Sequence, residues 1–146
     1  MPSAKSRQVR RFQARFLNPI VKRLMDKRLM PASYALLETT GRRSGLARQN
    51  PVGNGLVGDQ FWIVAEHGRR AAYVRNIEAD PRVRVRIREG RRQVWRSGTA
   101  HLLPDDDPRA RQEWLASTGK GRAGNARAVR AFGTELLTVR IDLDPR

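Results

Sequence analysis

The sequence predicts a mainly β protein with flanking helices (α+β), in which six or so strands form a mostly antiparallel sheet closed into a barrel. Three observations carry that expectation. From Tyr34 onward, apolar residues recur with a period of two rather than 3.6. Gly58-Asp59 and Glu89-Gly90 supply hairpin turn chemistry between neighbouring segments of this kind. The chain has 146 residues, the size of one compact domain, and shows neither an internal repeat nor a domain linker.

The elements follow in order. Residues 5–30 read as a basic amphipathic helical segment, with Phe12, Phe16, Ile20 and Leu24 on one stripe beside Leu17 and Val21, and with Arg10, Arg11, Arg15, Lys22, Arg23 and Lys27 elsewhere. Asn18-Pro19 places an N-cap residue before a proline suited to a first helical position, which divides the segment into two short helices. Two readings stay open for its apolar stripe: cover for the domain's own core, or a helix lying on an anionic membrane surface. Strands are expected at Tyr34–Thr40, Gln49–Gly55, Gln60–Glu66, Val83–Arg88, Gln93–Leu103 and Leu136–Leu143. A helix is expected over Ala71–Ala79, ending before Pro81, and another from Asp107-Pro108. The glycine- and arginine-rich stretch 118–133 becomes weakly helical and has no firm placement. The expected organisation is a leading segment over 1–30 and a barrel domain over 31–146.

Composition narrows the chemistry. Lys+Arg number 30 against 14 Asp+Glu, a net charge of +16, so an anion is the expected partner unless arginine is simply favoured throughout. The absence of cysteine excludes disulfides and thiolate nucleophiles or ligands. With two histidines, His67 and His101, and no HxxxH or HExxH spacing, no metal site is expected. Asp105, Asp106 and Asp107 precede Pro108 and read as a helix start rather than a catalytic carboxylate pair. No apolar run approaches the roughly 20 residues that span a bilayer, and the N-terminus lacks the pattern of a secretory signal. A cytoplasmic location is expected, with peripheral association at the inner face of the membrane through residues 5–30.

"RVRVRIR" (82–88) sets Arg82, Arg84, Arg86 and Arg88 on one strand face and Val83, Val85 and Ile87 on the other. Such a face could follow a nucleic-acid backbone with Trp95 as a stacking surface. No helix-turn-helix or RRM signature accompanies it. The favoured alternatives are an exposed strand face and a dimer seam.

"ETTGRRSGLARQNP" (38–51) holds the densest anion-binding chemistry. Gly41 and Gly45 permit a sharp turn with N–H groups converging, Ser44 adds a hydroxyl, and Arg42, Arg43 and Arg48 add planar forks that match phosphate or carboxylate oxygens. The stretch is not a P-loop, because a strand rather than a helix follows.

This stretch, with "WIVAEHG" (62–68) and "YVRNIEADP" (73–81), resembles the deazaflavin-dependent nitroreductase and quinone reductase family, which binds coenzyme F420 on an FMN-binding-like split β-barrel. The resemblance implies that Arg42, Arg43, Ser44, Gly45 and Arg48 meet the phosphate and acidic oligoglutamate tail, with Asn50 and Pro51 leading along the ring system. It further implies that Ala65, Glu66, His67 and Gly68 line the other side, and that Tyr73 and Asn76 stand where the family has a tryptophan and an asparagine. The stretch between Gly68 and Tyr73 is shorter than in many members, and Gly53 replaces a tyrosine that some members turn toward substrate. The implied activity is hydride transfer from the reduced deazaflavin to a quinone, nitroarene or activated alkene, with Tyr73 or water as the proton source. The protein's part in such chemistry is binding, orientation and electrostatics. A homodimer is expected. The alternatives are an FMN-using split-barrel enzyme and a non-catalytic carrier of a flavin, haem or fatty acid.

Overall fold

The computed structural model describes residues 33–118 and 135–146. The segment expected over 5–30 and almost all of 118–133 therefore lie outside the described residues.

Seven strands form one sheet: β1 (Tyr34–Thr40), β2 (Ala47–Gly53), β3 (Leu56–Val57), β4 (Gln60–Ala65), β5 (Arg82–Glu89), β6 (Arg92–Leu103) and β7 (Leu137–Leu143). Two helices accompany them, α1 (Ala72–Ala79) and α2 (Pro108–Thr118), with a 3-10 turn at Gly68–Arg70. The spatial order is β2-β1-β5-β6-β7-β4-β3, with every pairing antiparallel. The sheet curls into a half-barrel, the split-barrel-like α+β architecture expected, with one strand more than the six assigned. The extra strand is the two-residue β3, too short to show a period of its own.

Three boundaries moved for local reasons. β2 begins at Ala47, not Gln49, because the Gly41 N–H donates to the Leu46 carbonyl at 2.7 Å and closes the preceding loop there. It ends at Gly53, because Asn54 donates its N–H to the Ser33 carbonyl at 2.8 Å. The β5–β6 turn is Gly90-Arg91 rather than Glu89-Gly90, since Glu89 pairs with Arg92. Gly58-Asp59 joins β3 and β4 as expected, with Val57 opposite Gln60.

The alternation read in the sequence sorts the two sheet faces. Leu37, Phe61, Val85, Ile87, Val139 and Ile141 form the centre of the core, none more than 1% exposed. α1 closes one end of it, burying Val74 and Ile77, and stops at Asp80, which is extended before Pro81. Asp107 caps α2 by accepting from the N–H groups of Arg109 and Ala110 at 3.1 and 3.3 Å. On the outside of β4, Trp62 meets Trp114 edge-on at 5.6 Å. Arg111 lies 4.2 Å from one ring centre and 4.8 Å from the other.

Candidate functional site

Strand direction decides what can meet. With each neighbour antiparallel along β1-β5-β6-β7-β4, β1 and β4 run the same way. Thr40 and Ala65 therefore end at the same rim, where β2 begins and where α1 packs. The basic loop 41–46 and the turn 66–71 thus open on the same rim, and α1, which follows the turn, reaches the loop through Asn76.

The loop is tightly built. Gly45 donates its N–H to the Gly41 carbonyl at 2.8 Å and sits at φ 71°, a left-handed conformation that favours glycine. Ser44 Oγ accepts from the Leu46 N–H at 3.2 Å. It also lies 2.8 Å from where a side chain at Gly41 would begin, so the loop has no room for one. Arg42, Arg43, Ser44, Gly45 and Arg48 are all exposed.

Asn76 on α1 ties this loop down. Its Oδ1 accepts from the backbone N–H and the Nη1 of Arg42, both at 3.1 Å, while its Nδ2 donates to Thr39 Oγ1 at 3.1 Å. Asn76 is 2% exposed. The asparagine assigned by resemblance to the cofactor thus spends these contacts on the protein, and Thr39 is a member of the site that sequence reasoning left as an ordinary strand residue.

Register separates the remaining candidates. Arg48 and Asn50 stand opposite Thr39 and Leu37, on the face that carries Val52 into the core. Pro51 stands opposite Leu36, on the other face. At the far side of the rim, Ala65 is wholly buried against Val74 and Leu137, while Glu66 and His67 are exposed. Gly68 adopts φ 50°, and a β-carbon there would stand 2.5 Å from the Glu135 carbonyl oxygen. The Glu135 N–H donates to the Glu66 carbonyl at 3.3 Å, and the Glu135 carboxylate lies 4.0 Å from Arg70. Tyr73 is half-buried against both core clusters. Burial, and secondly the charge of Glu66, push its hydroxyl well above the usual phenol range.

The arginine strand has a different character. Arg82 Nη2 lies 2.6 Å from Asp144 Oδ2. Arg84 Nε donates to the buried Glu38 carboxylate at 2.6 Å and lies 4.4 Å from the Trp95 ring centre. Arg88 donates to the Gly90 carbonyl at 2.9 Å. Three of the four guanidinium groups therefore have partners within the chain. By contrast, no carboxylate among the described residues pairs with Arg43 or Arg48. His101 Nε2 lies 3.0 Å from Asp142 Oδ2 on the sheet. No group of three or more metal-binding side chains occurs among the described residues. No helix among them is long and apolar enough to cross a membrane.

With this geometry in place, comparison with known proteins is informative. A family profile described as F420H(2)-dependent quinone reductase matches residues 5–144. No curated protein sequence matches the chain. Among solved structures, one described as an F420 reductase is 16% identical, with a TM-score of 0.57 and coverage of 82% of this chain and 93% of that one. An F420-H2 dependent reductase (FDR-A) is 21% identical, with a TM-score of 0.50 and coverage of 75% and 93%. A domain-swapped dimer is 18% identical, with a TM-score of 0.53 and coverage of 84% and 96%. At these identities the structural likeness speaks for the fold.

Proposed function

We propose, for a chain that belongs to the F420H(2)-dependent quinone reductase family, that it binds the reduced deazaflavin coenzyme F420 at the rim and delivers its hydride to an organic acceptor. The acceptor class is a quinone, nitroarene or activated alkene. One observation carries the reading. Arg43 and Arg48, which pair with no carboxylate among the described residues, flank a tight exposed loop in which Arg42 is held by the neutral Asn76.

The residues present fit the group. A phosphate and a chain of carboxylates call for several exposed guanidinium forks. The loop offers those of Arg42, Arg43 and Arg48, while the N–H groups of Gly41, Arg42, Gly45 and Leu46, expected from the sequence to converge on the anion, are instead spent in fixing the loop's shape. When bound, the reduced deazaflavin supplies a hydride-donating carbon. The chain's own tasks are then to anchor the tail, to hold the acceptor about 3–3.5 Å from that carbon, and to stabilise the charge that develops on the acceptor.

Asn50 and the main chain of Ala65, Glu66, His67 and Gly68 are assigned to the ring-binding stretch, with Pro51 contributing only through its main chain, since its ring lies on the other face of β2. Tyr73 is recast. A phenol pushed upward in pKa is a poorer acid, so its role is to donate a hydrogen bond to the acceptor oxygen while water delivers the net proton. Homodimer formation is part of the proposal, supported by the domain-swapped relative.

The test is a fluorescence titration with coenzyme F420 beside FMN at low and high salt, followed by loss of reduced-cofactor absorbance on adding a quinone. Saturable F420 binding that weakens with salt, then quinone-dependent oxidation, is the expected result. FMN binding alone would replace the cofactor assignment. F420 binding without turnover for any acceptor class would favour a carrier.

A further inference from the structure

Asn76 presents a problem of chemical choice. Asparagine is a weak helix former, and burying its amide is costly unless its polar atoms are matched. Here both lone pairs of Oδ1 are taken by Arg42, through its backbone N–H and Nη1, and Nδ2 reaches Thr39. An aspartate in the same place could accept the same two bonds from Arg42 and a third from the Thr39 hydroxyl. It would hold the loop at least as firmly. It would also put a negative charge against the Arg42 guanidinium and cancel much of that charge toward anything outside.

We infer that Asn76, through Thr39 and Arg42, is a neutral latch: it fixes the basic loop to α1 and β1 while leaving the Arg42 charge available to a polyanion. This rests on the polyanion-binding reading above. Asn76 is on this account a positioning residue for the tail rather than a contact to the ring. The latch spans three elements, so the loop conformation is set before ligand arrives, which lowers the ordering cost of binding.

The discriminating variant is Asn76→Asp, titrated by fluorescence with coenzyme F420 and with its tail-less riboside, 8-hydroxy-5-deazariboflavin. Amide hydrogen exchange at Arg42 is measured in parallel for Asn76→Asp and Asn76→Ala. The expected result for Asn76→Asp is an affinity for F420 about tenfold or more lower, as for losing a charged contact. The riboside is held within about twofold, salt dependence is shallower, and Arg42 amide protection is retained. Asn76→Ala should raise the Arg42 exchange rate more than about tenfold by freeing the loop.

Unchanged F420 affinity in Asn76→Asp overturns the inference, as does equal weakening of both ligands, which would make Asn76 a ring contact. If the wild-type protein binds neither deazaflavin, the cofactor reading falls. The latch itself is then decided by exchange alone, and slow exchange in Asn76→Ala removes it. Should Asn76→Asp fail to fold, Thr39→Val takes its place: it cuts the latch at its other end without adding charge. The expectation is then faster Arg42 exchange and weaker F420 binding, and no change in either counts against the latch.

Discussion

Arg43 and Arg82 are both exposed arginines, but Arg82 is bound to Asp144 while Arg43 meets no carboxylate among the described residues. Reversing the first charge should therefore matter to a ligand, and reversing the second to the protein. Arg43→Glu is expected to weaken F420 binding more than tenfold, an order-of-magnitude figure for reversing a phosphate contact. Arg82→Glu should leave the affinity within about threefold while slightly lowering the melting temperature, since it removes an exposed ion pair and sets a carboxylate against Asp144. Titration and thermal melting separate the two. Gly68 is constrained by φ 50° and by the Glu135 carbonyl. Gly68→Ala is expected to cost at least about 1–2 kcal/mol from the left-handed backbone alone, with a further cost for the 2.5 Å approach, read as a lower denaturation midpoint.

The approach to α2 carries a pH dependence of definite sign. Hydrogen bonds from Arg111 hold the Asp106 carboxyl below its ordinary value. A depressed folded pKa contributes stability that is complete above the unfolded pKa and lost as pH falls through the folded one. Acid melting should therefore include this residue, and Asp106→Asn should lower stability at neutral pH while flattening the acid limb of the melting profile. The guanidinium so held sits against Trp62 and Trp114, making Asp106 a support for an aromatic contact as well. Alternation and capping made most such elements readable from sequence: Val83, Val85 and Ile87 had to face inward, and Asp107-Pro108 had to open a helix. The start of β2 was not readable, because it depends on the hydrogen bond between Gly41 and Leu46 rather than on any local preference. Nor could pattern reveal β3, whose two residues are defined only by their pairing with β4.

Across the described residues, arginines such as Arg82 and Arg84 fasten the outer sheet to carboxylates, while Arg43 and Arg48 at the rim meet none. The sequence displayed the number of charges but not this division, because the partners of Arg82 and Arg84 are 62 and 46 residues away. The same limit hid Thr39 behind Asn76, 37 residues apart. The loop motif itself was legible, since its glycines, serine and arginines are contiguous. The leading segment, residues 1–29, has two readings from its sequence, association with an anionic membrane or cover for the domain's own core. Its deletion should reduce sedimentation with anionic vesicles and spare F420 binding. A truncated protein that fails to fold would instead make the segment part of the core.

The strand order leaves β2 and β3 at the two ends of the sheet. Terminal strands with vacant backbone groups invite pairing with other chains, and hence aggregation. Here one terminus is only two residues long, and the other carries Pro51, which has no N–H to offer, beside the charged Arg48. A fully closed barrel would abolish both edges. Among the described residues the half-barrel keeps both and makes each a poor template, so neither edge strand offers a second copy of the chain a long run of backbone to zip onto.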